Sequence, residues 1–156
     1  VIESCSGDIL AWAPRVQALV NPVNTVGVMG KGLALQFKNA WPDNFVAYRD
    51  ACNRRQVKLG KMFVHTSAKS PLIINFPTKD HWRQRSQLDD IATGLDDLIA
   101  VVQTFQIQSI AIPPLGCGLG GLNWQQVKPL IVTAFEREPE VQVYLFEPHQ
   151  EAGGRR

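Results

Sequence analysis

The chain has 156 residues, 45% hydrophobic and 19% charged, a size and balance that suit one folded domain and exclude a disordered chain. Sixteen Lys and Arg against fourteen Asp and Glu leave a net charge of +2, so the overall charge neither requires nor rules out a polyanionic partner. The longest apolar runs are five residues, as at 98–102, against the roughly 20 of a membrane-spanning helix, and no basic-then-apolar leader opens the sequence, so no membrane association is expected and the cytoplasm is the expected location.

In chain order, β-branched segments predict strands at 1–4 and 16–20. Behind a glycine cluster, Leu33, Phe37 and Ala40 recur at helical spacing, and Pro42 stops that helix and opens a second one through Phe45, Tyr48 and Cys52. Strands follow at 62–66 and 72–76, the latter closed by Pro77. Ser86 and Asp89 have capping-box spacing before the apolar face Leu88, Ile91, Leu95, Leu98 and Val102, the longest predicted helix. A strand at 107–112 ends at Pro113 and Pro114. Asn123 and Gln126 again have cap spacing before a helix with Val127, Leu130, Ile131, Ala134 and Phe135 on its buried side, and 141–146 is the last strand. Strands alternating with helices predict an α/β layered domain with helices on both sheet faces. The tail EPHQEAGGRR is polar and aperiodic, as a frayed end or the start of a linker would be.

Cys5, Cys52 and Cys117 lie 47 and 65 residues apart, which fits neither a disulfide framework nor a CxxC knuckle, so three free thiols are expected. His65, His81 and His149 are equally dispersed, and no metal site is expected.

Three segments carry chemistry. NPVNTVGVMGKG (21–32) follows a predicted strand and opens a helix, a junction where backbone donors gather and anions bind. Its GxxGxG spacing at Gly27, Gly30 and Gly32 is not the dinucleotide fingerprint, and Lys31 is followed by Gly32 where a nucleotide-hydrolysing P-loop needs Ser or Thr. A plain glycine turn with Asn21 and Asn24 as local caps is the other reading. PPLGCGLGGL (113–122) repeats the arrangement, and its four glycines within six positions are entropically expensive to order for a turn alone. Two such loops suggest a diphosphate between two backbone cradles. Asp8, after the first strand, is placed to accept from a ligand amine or to cap a turn.

NFPTKDHWRQRS (75–86) sets Lys79 just past a strand end, where it is either an ordinary solvent charge or a group held over the cleft. Around Trp82 lie Lys79, His81, Arg83 and Arg85, opposed only by Asp80. Such a cationic patch suits a phosphodiester backbone with a base to stack, or else simply a solvated face with one packed tryptophan.

Taken together, NPVNTVGVMGKGLALQFK, NFPTKDHWR and PPLGCGLGGLNW resemble the macrodomain family, and within it the branch of DarG-type antitoxins, over almost the whole chain. GVMGKGLALQF is also similar to the subgroup that contains the human terminal ADP-ribose glycohydrolase. The resemblance implies a three-layer α/β/α sandwich with a mixed, mostly parallel central sheet over 1–148, and at 149–156 a tail or linker toward an absent C-terminal domain. It implies a monomer that needs no cofactor or metal and has ADP-ribose as ligand and product. The implied reaction removes ADP-ribose from thymidine in single-stranded DNA, reversing the modification made by a DarT-type toxin, which the absent domain would contact.

Carried over by residue, the resemblance makes Lys79 catalytic and puts Asp8 and Ile9 at the adenine. Asn21 and Asn24 would lie near the distal ribose, with Gly27, Gly30, Lys31 and Gly32 closing over that ribose and its phosphate. Gly116, Cys117, Gly118, Leu119 and Gly120 would hold the diphosphate, and His81, Trp82, Arg83 and Arg85 the DNA. Gly120 stands where the human relative has an aspartate, so the lysine and aspartate pair that acts on protein-linked ADP-ribose is incomplete here. Hydrolysis of protein-linked or O-acetyl-ADP-ribose, and non-catalytic reading of ADP-ribose by the two loops alone, are the competing functions.

Overall fold

Six short apolar segments pair into one sheet in the computed structural model, which describes residues 1–67 and 71–148; the tail at 149–156 lies outside the described residues. The strands are β1 (Ile2–Cys5), β2 (Ala18–Val23), β3 (Phe63–His65), β4 (Leu72–Pro77), β5 (Ser109–Ile112) and β6 (Gln142–Phe146), in the order β1-β6-β5-β2-β4-β3. Every neighbouring pair is parallel except the antiparallel β3–β4 edge.

Side chains alternate across this sheet with the period of two that strands impose. Val20, Ile74, Phe76, Ile110 and Ile112 face the layer of α3 (Leu88–Thr104) and α4 (Trp124–Phe135). Leu19, Ile73 and Ala111 face the opposite layer, where Phe37 of α1 (Gly32–Ala40) and Ile9 of a 3-10 helix (Ile9–Arg15) close over them. Tyr48, Ala51 and Cys52 of α2 (Pro42–Asn53) bury against Val23 and Met29. The architecture is the three-layer α/β/α sandwich that the sequence predicts.

Three details depart from the sequence reading. The 3-10 helix fell in a stretch with no predicted element: Asp8 caps it, its Oδ1 accepting from Leu10 N–H at 3.0 Å. Strand β2 runs on to Val23, through Pro22, instead of ending at Val20. Beyond Leu19 it is paired only with β4, and an open edge tolerates the N–H that proline lacks. Ser86 is not the cap of α3; Gln87 is, without a side-chain cap bond. The Ser86 backbone N–H donates to Gly120 O at 2.9 Å, which draws its side chain under the second glycine-rich loop and away from the helix start. Asn123 does cap α4, its Oδ1 accepting from Gln125 N–H at 2.9 Å.

Polar side chains also tie the layers. Asn21 and Asn75 are register partners across β2 and β4, with Asn21 Nδ2 donating to Asn75 Oδ1 at 3.1 Å. Asn75 Nδ2 donates to Asn44 Oδ1 at 2.9 Å and to Phe63 O at 3.0 Å. These three asparagines are fully buried, so two strands, α2 and the edge strand meet at one amide cluster, where mutual hydrogen bonds offset part of the cost of removing amides from water; the buried Asn21 Oδ1 has no partner among the described residues.

Candidate functional site

Loops leaving the carboxyl ends of the adjacent strands β5, β2 and β4 surround a cleft of about 690 Å³, the position where open α/β sheets bind ligands. The first loop, after β2, is shaped by Asn24. Its Oδ1 accepts from Val26 N–H at 3.1 Å, Val28 N–H at 3.3 Å and the Tyr48 hydroxyl at 2.7 Å, and its Nδ2 donates to Val28 O at 2.8 Å. Helix α1 then starts at Gly32 with Lys31 as an N-cap that makes no side-chain bond, leaving first-turn N–H groups open beside the cleft.

The second loop, after β5, folds back through hydrogen bonds from Cys117 N–H to Pro114 O and from Leu122 N–H to Gly116 O, at 3.2 and 2.9 Å. Among the described residues, the N–H groups of Gly118, Leu119 and Gly120 have no backbone acceptor, so three successive donors are available to an anion. Gly116 sits at φ +72°. A Cβ on Gly120 would lie 2.5 Å from Gly116 O, whereas one on Gly118 would meet nothing within 4 Å; the first glycine builds the loop and the second keeps the cleft empty. Leu119, 66% exposed, reaches across until its Cδ1 is 3.7 Å from where a Cβ on Gly32 would be.

The third loop, after β4, is stitched to both others. Thr25 N–H donates to Asp80 O at 3.0 Å and its hydroxyl to Asp80 Oδ1 at 2.8 Å. On the other side Arg85 Nη2 donates to Gly121 O at 3.0 Å. Between these anchors, half-buried Lys79 donates from Nζ to Trp82 O at 3.0 Å, and burial holds its pKa below the ordinary 10.5. The His81 ring stacks on the Trp82 indole, centroids 3.7 Å apart. Lys31, Lys79 and Arg83 line the cleft and, among the described residues, no carboxylate does, a field that favours an anionic ligand.

The predicted residues that the cleft wall brings together are Asn24, Gly30, Lys31 and Gly32 from the first loop, Lys79, Trp82 and Arg83 from the third, and Gly116, Gly118, Leu119 and Gly120 from the second. The others take different positions. Asp8 caps the 3-10 helix, and Ile9 is 4% exposed within the core. Asn21 belongs to the buried amide cluster. Gly27, at φ +87°, lets the first loop pass close to Arg49 and Cys52. The Cys117 thiol donates to Leu115 O at 3.5 Å, and burial pushes its pKa up to about 11, so it stays protonated at neutral pH. His81 stacks behind Trp82, and Arg85 is a loop anchor.

Sequence reasoning missed the apolar part of the wall: Pro22, Val23, Val28, Leu33 and Ala34 from β2, its loop and α1, and Pro113 and Pro114 after β5, with Thr78 after β4 beside them. Their signal was positional, since all but Val28 lie at or just beyond a parallel strand's carboxyl end or in the first turn of α1. Cys5, Cys52 and Cys117 are unpaired. No helix among the described residues is long and apolar enough to cross a membrane.

Comparison with known proteins gives the following. The Macro domain family matches residues 20–131. The macrodomain of Mycobacterium tuberculosis DarG superposes with a TM-score of 0.92 at 49% identity, over 96% of this chain and 99% of that one. The structure of Thermosipho africanus DarTG in complex with ADP-ribose matches with a TM-score of 0.89 at 35% identity, over 96% of this chain and 42% of that one. The DNA ADP-ribosyl glycohydrolase of Thermus aquaticus is 52% identical over 136 residues, 85% of this chain and 38% of the relative. The chain spans about four-tenths of the length of three DNA ADP-ribosyl glycohydrolases it matches, between 38% and 42%.

Proposed function

The chain belongs to the macrodomain family, and from that premise we propose that it is a DNA ADP-ribosyl glycohydrolase: it binds the ADP-ribose carried by a thymidine in single-stranded DNA and hydrolyses the bond to the base. The observation that carries the reading is the place of Lys79, half-buried just past the end of β4 in a loop bonded to both glycine-rich loops, on a cleft lined by three cations and, among the described residues, no carboxylate. In support, a relative at 52% identity bears this activity in its name and a structural match at 35% identity holds ADP-ribose.

In this reading the open N–H groups at 118–120 and at the start of α1 hold the diphosphate, and Asp8 and Ile9 mark the adenine end. The glycine backbone at 30–32 closes over the distal ribose. Asn24 acts by fixing that loop, and Asn21 by holding β2 to β4. Trp82 and Arg83, backed by His81 and Arg85, meet the DNA strand. The DNA-modifying transferase of the DarT type, whose product this activity would erase, is the proposed counterpart.

Breaking the glycosidic bond leaves oxocarbenium character on the ribose and the bonding electrons on the base nitrogen. Water supplies OH to the anomeric carbon and a proton to the base, so ADP-ribose and unmodified DNA are the products. Lys79 serves this step either as an ammonium that protonates the departing base and recovers a proton from water, or as an amine that takes the anomeric carbon transiently before water displaces it. The glycine loops contribute by fixing the ribose, since binding of the remote diphosphate pays for orientation at the reacting carbon.

The test is a comparison of ADP-ribose release from an ADP-ribosylated thymidine oligonucleotide and from an ADP-ribosylated protein. Release from DNA is expected; release from protein alone would replace the DNA reading, and binding of ADP-ribose without release from either would leave a reader.

A further inference from the structure

Lys79 lines two cavities. Besides the cleft it borders a groove of about 380 Å³ walled by Leu59, Asp80, Gln84, Arg85, Gln87 and Asp90, and among the described residues it is the one these two cavities share. A group that acts on the bond between a sugar and its leaving group needs room for one half of the substrate on each side. The cavities differ in charge. The cleft has three cations and no carboxylate, while the groove sets Lys79 and Arg85 against Asp80 and Asp90.

A phosphate in the groove would face two carboxylates for its two cations, which removes most of the electrostatic gain. A neutral ring with donor and acceptor edges has no such conflict. Gln84 and Gln87 present carboxamides of the kind that pair with heterocycle edges, and Leu59 offers an apolar contact for a ring. Gln84 Oε1 is engaged by His81 N–H at 3.1 Å, which leaves its amide protons to donate. Gln87 sits at the N-cap of α3 but makes no cap bond, so its side chain is not committed to the helix.

Resting on the glycohydrolase reading, we infer that this groove holds the nucleobase of the modified nucleotide, with Gln84 and Gln87 reading its edge, while the cleft holds the ADP-ribose. Lys79 then stands in the partition where the two halves separate, and Gln87 is a specificity residue on the DNA side alone.

Gln87→Trp fills the groove and Gln87→Ala removes one amide; neither residue change touches the cleft. Binding of a labelled ADP-ribosylated oligonucleotide is read by stopped-flow anisotropy within the first turnover, and free ADP-ribose by calorimetry. Q87W is expected to weaken the modified oligonucleotide roughly tenfold or more, and Q87A about threefold, the worth of one hydrogen bond, with ADP-ribose affinity at the parent level in both. The loss should be equal at low and high salt, because the occupant is neutral. A loss that vanishes at high salt would assign the groove to phosphate and overturn the inference, as would parent-like affinity in Q87A and Q87W. Should Q87W lose ADP-ribose binding through misfolding, Q87A decides. Release of ADP-ribose by the parent is scored separately: a parent that binds modified DNA better than Q87A yet releases nothing loses the glycohydrolase reading and keeps the groove.

Discussion

The ammonium nitrogen of Lys79 and the carbonyl oxygen of Trp82 are 3.0 Å apart, so the cation that lines both cavities is held by a backbone acceptor. A lysine held this way keeps its proton donors aimed within a tight curl of chain while its charge is only half solvated. On the proposed reading, Lys79→Ala should retain most ADP-ribose affinity, because the open N–H groups of the glycine loops remain, and lose release from modified DNA by on the order of 10²-fold or more. Lys79→Arg keeps the charge but is a poor acid and nucleophile, so it should stay impaired. Single-turnover rates with enzyme in excess check both, and parent-like release in K79A would remove Lys79 from the chemistry.

The burial that lowers the Lys79 pKa gives the reaction a pH signature. Desolvation disfavours the ammonium, so the amine is populated at a lower pH than for a free lysine. The single-turnover rate is expected to rise with pH through that lowered pKa if the amine attacks the sugar. A falling limb in the same range would assign the working form to the ammonium, as an acid. A flat profile whose rate still depends on K79A would leave Lys79 only an electrostatic part.

Gly118→Val should block the ligand without harming the fold, because its Cβ meets nothing within 4 Å and enters the cleft. Gly120→Ala is the contrast: its Cβ runs into Gly116 O at 2.5 Å and into the buried Ser86 hydroxyl. Thermal unfolding and ADP-ribose calorimetry separate them. G118V is expected to keep the parent melting temperature and lose affinity, and G120A to lose both.

Arg83 and Arg85 are not equivalent. Arg83 lines the cleft, whereas Arg85 is bonded to Gly121 O at 3.0 Å. Arg83→Gln should weaken modified single-stranded DNA and lower its salt dependence by about one ion, with a smaller loss for free ADP-ribose, since the cleft keeps Lys31 and Lys79. Arg85→Gln should weaken both ligands, since it loosens the diphosphate loop. Equal behaviour of R83Q and R85Q across a salt series would refute the distinction.

In the middle of α3, Gly94 faces the Phe76 ring so closely that an added Cβ would lie 2.5 Å from Cζ. Alanine is the better helix former by about 1 kcal/mol, but Phe76 is fully buried and overpacking typically costs about 1–3 kcal/mol. Gly94→Ala is therefore expected to lower the denaturation midpoint, despite its helix propensity; a raised midpoint would show that the ring can move aside.

The sandwich was legible because its strands are apolar and α3 carries a clean stripe from Ile91 to Val102. Ranges slipped where tertiary pairing overrode a local signal. Pro22 reads as a strand breaker until β2 is seen to have an unpaired edge, and Ser86 reads as a helix cap until Gly120 claims its backbone. At the site, the glycine loops and Lys79 stood out through composition and order. The amide cluster joining Asn21, Asn44 and Asn75 did not, because residues 31 and 54 apart in sequence meet only after the sheet forms. The apolar wall was silent for a related reason: Val23 or Pro113 looks like core until a strand's end is known to open on a cleft.

The bridges from Thr25 to Asp80 and from Arg85 to Gly121 have a thermodynamic consequence for the molecule. With its loop after β4 tied at one end to the first glycine segment and at the other to the second, the cleft rim is expected to open as a cooperative unit. Ordering any member suppresses the opening of the rest. On the proposed reading, ADP-ribose on the glycine loops would lend rigidity to the segment from Asp80 to Arg85 before DNA touches it. By reciprocity, on the proposed reading, a strand held by that segment would tighten the grip on the diphosphate by the same factor, a coupling carried by one backbone and two side-chain hydrogen bonds.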